Sequence, residues 1–225
     1  MDVVRVHLVS GGVKKQSPLR EARKAETEQK ILDAAVRLFL TDGYVATTLA
    51  DVAAAAGVGA RTVYLRFGTK ADLLNRAIDV AIVGDTAEVG VAHRDWHVRA
   101  ATAPTLEERI RAYAEGARGL MERAAPLIAV AVQAEASEPL IAAAATAGRD
   151  ATHANITHIW QQLHADGLLD PGVDLDWVIA TVGLLGQAET YILMTRTLGW
   201  DPAAYQQWMY DTWHHFAVTP SRSAH

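Results

Sequence analysis

The chain has 225 residues, half of them hydrophobic, enough for one or two domains with a sizeable core. It contains no cysteine, which excludes a disulfide framework and a cysteine–zinc site and fits a reducing cytoplasm. Its net charge of −5 is unevenly spread. Residues 1–70 carry 11 Lys and Arg against 7 Asp and Glu, net +4, and the rest carry 10 against 19, net −9. All lysines (Lys14, Lys15, Lys24, Lys30 and Lys70) fall in the first part. A basic head on an acidic body suits a protein that brings one end to a polyanion.

Met1 to Ser17 has no helical period, and Gly11-Gly12 with Lys14, Lys15 and Arg20 reads as a flexible basic arm over residues 1–20. Val3 to Val9, interrupted by Arg5 and His7, is too short and polar for a signal peptide or membrane span. From Glu21 to Thr41, the spacing of Ile31, Ala35 and Leu38, with Leu32 and Phe39 beside them, predicts an amphipathic helix closed by Asp42-Gly43. Tyr44 is expected to pack beneath the next two helices. Leu49, Val52, Ala53 and Ala56 recur at helical spacing behind Thr48, which forms a capping box with Asp51. Gly57 ends this helix, since glycine takes the left-handed conformation at little steric cost. Val58 plugs the turn, and Gly59-Ala60 open a second short helix with Val63 and Phe67 inward. Arg61, Thr62, Tyr64, Leu65 and Arg66 share its outer and flanking faces. Two short helices joined by a tight glycine turn, the second rich in exposed donors, are the pattern of a helix-turn-helix.

Thr69 and Asp72 cap a fourth helix, Lys70 to about Gly84. Asp85 to Pro104 is turn-rich and expected to be irregular. Thr105 and Glu108 cap a helix to about Arg123, Pro126 starts another through Ala136, and Pro139 starts the next, to His164. Asp166-Gly167 and Pro171-Gly172 mark breaks. Asp174 or Asp176 then caps one helix running to Leu198, and Asp201-Pro202 starts the last, to Phe216. Trp177 to Gly186 is apolar but far short of the ~20 residues a membrane span needs, so it predicts a buried helix. The chain is therefore expected to be all-α. A three-helix, helix-turn-helix head occupies residues 21–70 and a helical body residues 71–225, with the fourth helix shared.

The run TTLADVAAAAGVGARTVYLRFGTKADLL, Thr47 to Leu74, resembles the DNA-binding domain of the tetracycline-repressor (TetR) family of bacterial regulators. Ala56-Gly57-Val58, then Thr62, Tyr64, Phe67 and Lys70, stand at that family's spacing, and the likeness runs from about Ile31 to Leu74. Gly59 stands where the family usually has serine, which removes a side-chain cap from the second helix. The resemblance implies a homodimeric transcriptional regulator, with a C-terminal domain that dimerises and binds a small effector. It implies in particular a repressor released from operator DNA when the effector binds. A helical ligand-binding or scaffold protein that has lost DNA binding is the alternative.

For the DNA interface, Arg61 and Thr62 lie on the turn that this motif class places in the major groove. Arginine can bond guanine O6 and N7 bidentately, and threonine can bond a base or touch a thymine methyl. Tyr64 suits phosphate or sugar, and Thr48, Arg66 and Lys70 suit phosphates. Tyr113, Met121, Trp160, Gln187 and Tyr191 are candidates to line an effector pocket that is largely apolar. Tyr205, Trp208, Met209, Trp213 and Phe216 form one stripe of the last helix, and Val178, Val182, Leu185, Glu189 and Ile192 line its predecessor. Leu185, Tyr205, Trp208 and Trp213 are therefore the candidate dimer interface, with Gly183 and Gly186 allowing close approach. His93 and His97 are spaced like metal ligands, but no third ligand stands at a convincing spacing, so no metal or cofactor is expected. The five serines lie mostly in the tails, outside any nucleophile elbow, which argues against an enzyme.

Overall fold

The computed structural model describes residues 18–84 and 94–220, and all regular structure within them is helical. Of the arm expected over residues 1–20, Pro18 to Arg20 already belong to the first helix, and residues 1–17, like His93 and the tail after Pro220, lie outside the described residues.

Helix α1 (Pro18–Ala46) buries Ile31, Leu32, Ala35 and Phe39, and is interrupted at Gly43, whose φ of 79° suits only glycine. Tyr44 follows, buried, with its ring 6.1 Å from Phe39. Helix α2 (Leu49–Ala56) begins at a reciprocal box. Thr48 Oγ1 accepts from the Asp51 N–H at 3.1 Å, and the Asp51 carboxylate accepts from the Thr48 N–H at 3.2 Å. Gly57 closes α2, and α3 (Ala60–Phe67) starts at Gly59 without a side-chain cap. Helix α4 (Lys70–Val83) repeats the box with Thr69 and Asp72.

These four helices do not close a core alone. Ile31, Phe39, Leu49, Val52 and Val63 are joined by Leu73, Leu74 and Ala77 of α4, and then by residues far down the chain. Leu127, Val130, Ala131 and Ala134 of α6 and Ile141 of α7 enter the same cluster. Each large apolar side chain buried this way contributes about 1.5–3 kcal/mol, so the head is fastened to the body by packing.

The body holds α5 (Asp95–Thr102), α6 (Leu106–Ala134), α7 (Pro139–Ala165), α8 (Leu175–Leu185), α9 (Ala188–Ile192) and α10 (Pro202–Val218). Its own core gathers Ile110, Tyr113, Met121, Ile156, Trp160, Val182, Tyr205 and Trp213. The central element is α6, which packs on α1, α4, α5, α7, α9 and α10.

Four expectations are corrected. The stretch expected to be irregular contains α5, which buries His97 and Ala100. The two helices expected on either side of Pro126 are one, α6, with the proline inside it. An internal proline costs about 3 kcal/mol. Ala124, Ala125 and Leu127 are buried around Pro126, and that packing carries the helix through. The helix expected from Asp174 to Leu198 is broken instead, with its halves bent by 51°. At the break Gly186 lies so close to Ile156 that a Cβ would overlap that side chain, and Gln187 is extended. The carbonyls freed there are met locally: the Gln187 amide donates to the Gly183 carbonyl at 3.2 Å, and Thr190 Oγ1 to that of Leu184 at 3.1 Å. A π-helical turn, Leu193–Thr197, follows α9. Nor is α8 fully buried, since Trp177 and Leu184 are 52% and 72% exposed. Among the described residues no single helix is long and apolar enough to cross a membrane.

Candidate functional site

In α3 only Val63 is buried, and Arg61, Thr62, Tyr64 and Leu65 all open to solvent. Its first turn has no acidic residue, so Arg61 presents its charge unopposed on that turn. Thr48 is exposed at the start of α2, but its hydroxyl is occupied by the cap, donating to Asp51 Oδ2 at 2.6 Å.

Arg66 and Lys70, expected on phosphates, are turned into the head. Arg66 Nη2 donates to the Lys24 carbonyl at 2.6 Å and lies 3.9 Å from the Glu28 carboxylate. Glu28 is also held by Arg76 Nε and Nη2, at 3.2 and 3.1 Å. Lys70 Nζ donates to the Tyr44 carbonyl at 2.7 Å and sits 4.2 Å over the centre of that ring. For Lys70 the physical reason is the end of α1: carbonyls in the last turn of a helix lack intrahelical partners, and a nearby cation satisfies them and the helix dipole. The Tyr44 hydroxyl in turn bonds Glu138, in the connection from α6 to α7. Burial, with that carboxylate, pushes its pKa up to about 12.

A cavity of about 680 Å³ lies between α4, α5, α6, α7 and the break before α9. That is the size of a small-molecule site. From α4 come Asn75, Ile78, Asp79 and Ile82, one stripe at positions i, i+3, i+4 and i+7. From α7 come Ala144, Gly148, Ala151, Thr152 and Asn155, small residues that leave the space open. Trp96 of α5 also lines it and packs on Gly116, where a Cβ would overlap the indole.

Of the expected pocket residues, Tyr113, Met121 and Gln187 line this cavity. Trp160 and Tyr191 do not. Trp160 is fully buried with its ring 5.5 Å from that of Trp213, and Tyr191 sits edge-on to Tyr205 at 4.7 Å. Apolar periodicity marks a buried face without saying whether a neighbour or a void lies opposite. The lining of α4 and α7 was missed for a related reason. Ile78 and Ile82 form a second stripe on the fourth helix, which was read as a link between head and body, and alanines read as ordinary helix.

Polar groups gather at two places on the wall. Buried His97 has Nε2 2.6 Å from Asn155 Oδ1, and the Tyr113 hydroxyl also bonds Asn155. Burial drives the Tyr113 hydroxyl well above its ordinary pKa. Elsewhere, Arg149 Nε donates to Glu189 at 2.8 Å, while Nη1 and Nη2 donate to the two oxygens of Glu135, also at 2.8 Å. These bonds hold the guanidinium charged and the Glu135 carboxyl below its usual range. Among the described residues, no group of three His, Asp or Glu side chains is placed to hold a metal ion.

The expected dimer residues separate. Tyr205 and Trp213 are buried in their own protomer, Trp213 stacked on Tyr113 at 4.2 Å, so neither is available to a copy. Leu185 and Trp208 are half-buried. The stripe of α10 faces α6 of the same chain. Gly183 and Gly186 are closed by His153 and Ile156 of α7. The apolar surface left open on α8 is instead Trp177, Ala180 and Leu184, beside the half-buried Thr181.

An exposed helix carrying Arg61, set by a glycine turn on a capped partner helix and mounted on a helical body, forms a helix-turn-helix head. Residues 31–77 match the profile of the bacterial regulatory proteins of the tetR family, so the head resembles that family's DNA-binding domain. It is 42% identical over 59 residues to the HTH-type transcriptional regulator AlkX of Mycobacterium tuberculosis, covering 26% of this chain and 28% of that protein. The match thus spans little more than a quarter of that relative. The whole fold is similar to a solved TetR-family transcriptional regulator from Rhodococcus sp., with TM-score 0.63 and 14% identity, covering 85% of this chain and 98% of that one. NalD, the secondary repressor of the MexAB-OprM multidrug efflux pump in Pseudomonas aeruginosa, is also similar. It gives TM-score 0.62 and 20% identity over 86% of this chain and 97% of its own. At these identities the likeness is one of fold. The relatives are transcriptional regulators rather than enzymes.

Proposed function

We propose that this chain is a homodimeric DNA-binding transcriptional regulator, a cytoplasmic repressor released from its operator when a largely apolar small molecule occupies the body cavity. The observation that carries this reading is α4. One face, with Leu73, Leu74 and Ala77, belongs to the core that supports α3, and the other, with Asn75, Ile78, Asp79 and Ile82, lines the cavity. A ligand that shifts the second face shifts the first. Occupied protein then favours an arrangement whose two recognition helices no longer match successive major grooves. That NalD, alike in fold, is a repressor agrees with this direction.

In this scheme Arg61 and Thr62 read base edges and Tyr64 contacts the backbone, while Thr48, its two donors taken by Asp51, sets the start of α2. Arg66 and Lys70 hold α3 and α4 in position instead. The basic arm of residues 1–20 precedes the head of residues 21–70, and residues 71–225 bind the effector and dimerise, with α4 belonging to both units. The open face of α8 at Trp177 and Leu184 supplies the apolar surface for a partner copy.

The test is selection of bound fragments from the source genome, followed by titration of one such fragment at several salt concentrations. Arg61→Ala should lose about 1–3 kcal/mol on that operator and relax preference at one base position in each half-site. Parental affinity in the Arg61 variant would remove α3 from the major groove. If no fragment is bound specifically at any salt, the protein is a ligand-binding or scaffold protein.

A further inference from the structure

Val63 sets how α3 is rolled about its axis. It is the buried residue of the helix, and the half-buried Arg66 and Phe67 flank it. Successive residues turn by about 100°, so the line opposite Val63 runs between Arg61 and Leu65, about 20° from each. Thr62 and Tyr64 stand about 80° to either side of that line. Exposure agrees, with Leu65 at 76% and Tyr64 at 54%. The outermost ridge of α3 is therefore a charged donor followed, one turn on, by a bare aliphatic side chain.

A single exposed leucine is ordinary on a protein surface, so its place decides what it means. Leu65 shares its ridge with Arg61, and a helix laid in the major groove turns its outermost ridge to the base edges. Those edges offer donors and acceptors at every step and one apolar group, the C5-methyl of thymine. Leucine has no polar atom to bond the first kind and can bury its surface against the second. Side chains four residues apart on a helix start about 6 Å from each other, and base pairs stack about 3.4 Å apart.

We infer that Leu65 determines specificity by reading the methyl of one thymine in each half-site, within about two base pairs of the base that Arg61 contacts. This rests on the reading of α3 as the helix in the major groove, and it adds an apolar element to what that helix recognises. A base without the methyl leaves Leu65 facing a polar edge that it cannot bond.

The experiment uses the full chain and an operator fragment selected from the source genome, with each thymine replaced in turn by deoxyuridine. That exchange removes the methyl and leaves every hydrogen-bonding group in place. Affinity of the parent should fall about fourfold at one position in each half-site, as loss of one buried methyl implies, and about 15-fold with both replaced. Leu65→Ala should bind the unmodified operator more weakly and lose its sensitivity to uracil at that position alone, the mark of a direct contact. Its affinity for unrelated DNA, and the salt dependence of that affinity, should match the parent. Leu65→Met, apolar and of similar volume, should retain the uracil effect, and it serves if the alanine variant does not fold.

Uracil sensitivity that persists in Leu65→Ala overturns the inference, and its disappearance in Thr62→Ser would assign the contact to the threonine methyl. Equal weakening on all DNA by Leu65→Ala also overturns it, since that marks a backbone contact. Operator binding that depends on Arg61 but on no thymine methyl refutes the role of Leu65 and keeps α3 in the groove. Parental affinity in Arg61→Ala, or no specifically bound fragment, removes α3 from the groove and the inference with it.

Discussion

Lys70 separates the cations that contact DNA from those that hold the head together. Replacing it with methionine keeps most of the stem and removes only the ammonium. That group donates to the Tyr44 carbonyl at 2.7 Å and stands 4.2 Å over the same residue's ring. A hydrogen bond from a charged donor is worth about 1.5–3 kcal/mol, and a cation–π contact at a partly exposed site about 0.5–1. Lys70 is only half-buried, which favours the lower end of both ranges, or about 2 kcal/mol together. In a chain of this length 1 kcal/mol moves Tm by about 2–4 °C, so Lys70→Met should melt about 4–8 °C lower. The contrary assignment, Lys70 on a phosphate, predicts something else. The logarithmic salt slope of operator binding would then fall by about one for each protomer, with stability nearly unchanged. Thermal melts by circular dichroism and operator titrations across salt measure both quantities. A Tm within about 1 °C of the parent, together with a slope reduced by one, would refute the structural role argued here.

Trp160→Ala should cost about 3–5 kcal/mol of stability, read by urea denaturation, because it removes a fully buried ring from the body core. Leu184→Arg, on the open face of α8, should give folded monomers by light scattering. Trp213→Arg should fail to fold, since a charge there has no partner and no water. Gly116→Ala places a methyl into the Trp96 indole and should lower stability by about 1–3 kcal/mol, with ligand affinity at the cavity falling too.

The head was legible because its signals are short-range. Both Thr–Asp capping boxes and the Gly57 turn are contacts within a few residues, and they appear where the spacing put them. The fate of Arg66 and Lys70 was not legible, since each meets a carbonyl more than 20 residues away, at Lys24 and Tyr44. In the body, α5 was missed in a turn-rich stretch, and other helices were recognised but not always their extent. Pro126 reads as a start, and only the burial on both sides of it shows that α6 runs through. Gly186 reads as a place where helices approach, and it is one, although the approaching helix is α7 of the same chain. The stripe of α10 was visible, and Tyr205, Met209 and Trp213 on it are buried. A stripe does not name its partner, which is how Tyr205 and Trp213 were assigned to a dimer when they fill the body core.

Helix α4 limits how strongly the two ends of the molecule can influence each other. Its cavity face and its core face are stripes on one rigid rod, so a ligand at Ile78 or Asp79 acts on the same body that carries Leu73 and Leu74. The head also touches α6 through Leu127, Val130 and Ala134, which resists any motion of α4 alone. Allosteric coupling across such contacts is typically about 1–3 kcal/mol, and it is reciprocal, so operator DNA should weaken effector binding by the same factor. Moving an equilibrium from 99:1 to 1:99 needs about 5.5 kcal/mol, more than one protomer's coupling provides. Complete release therefore calls for two occupied cavities acting on a pair of heads that must fit one operator together. A monomer such as Leu184→Arg is intended to produce should then still bind the ligand, but hold half-site DNA weakly and respond to ligand far less.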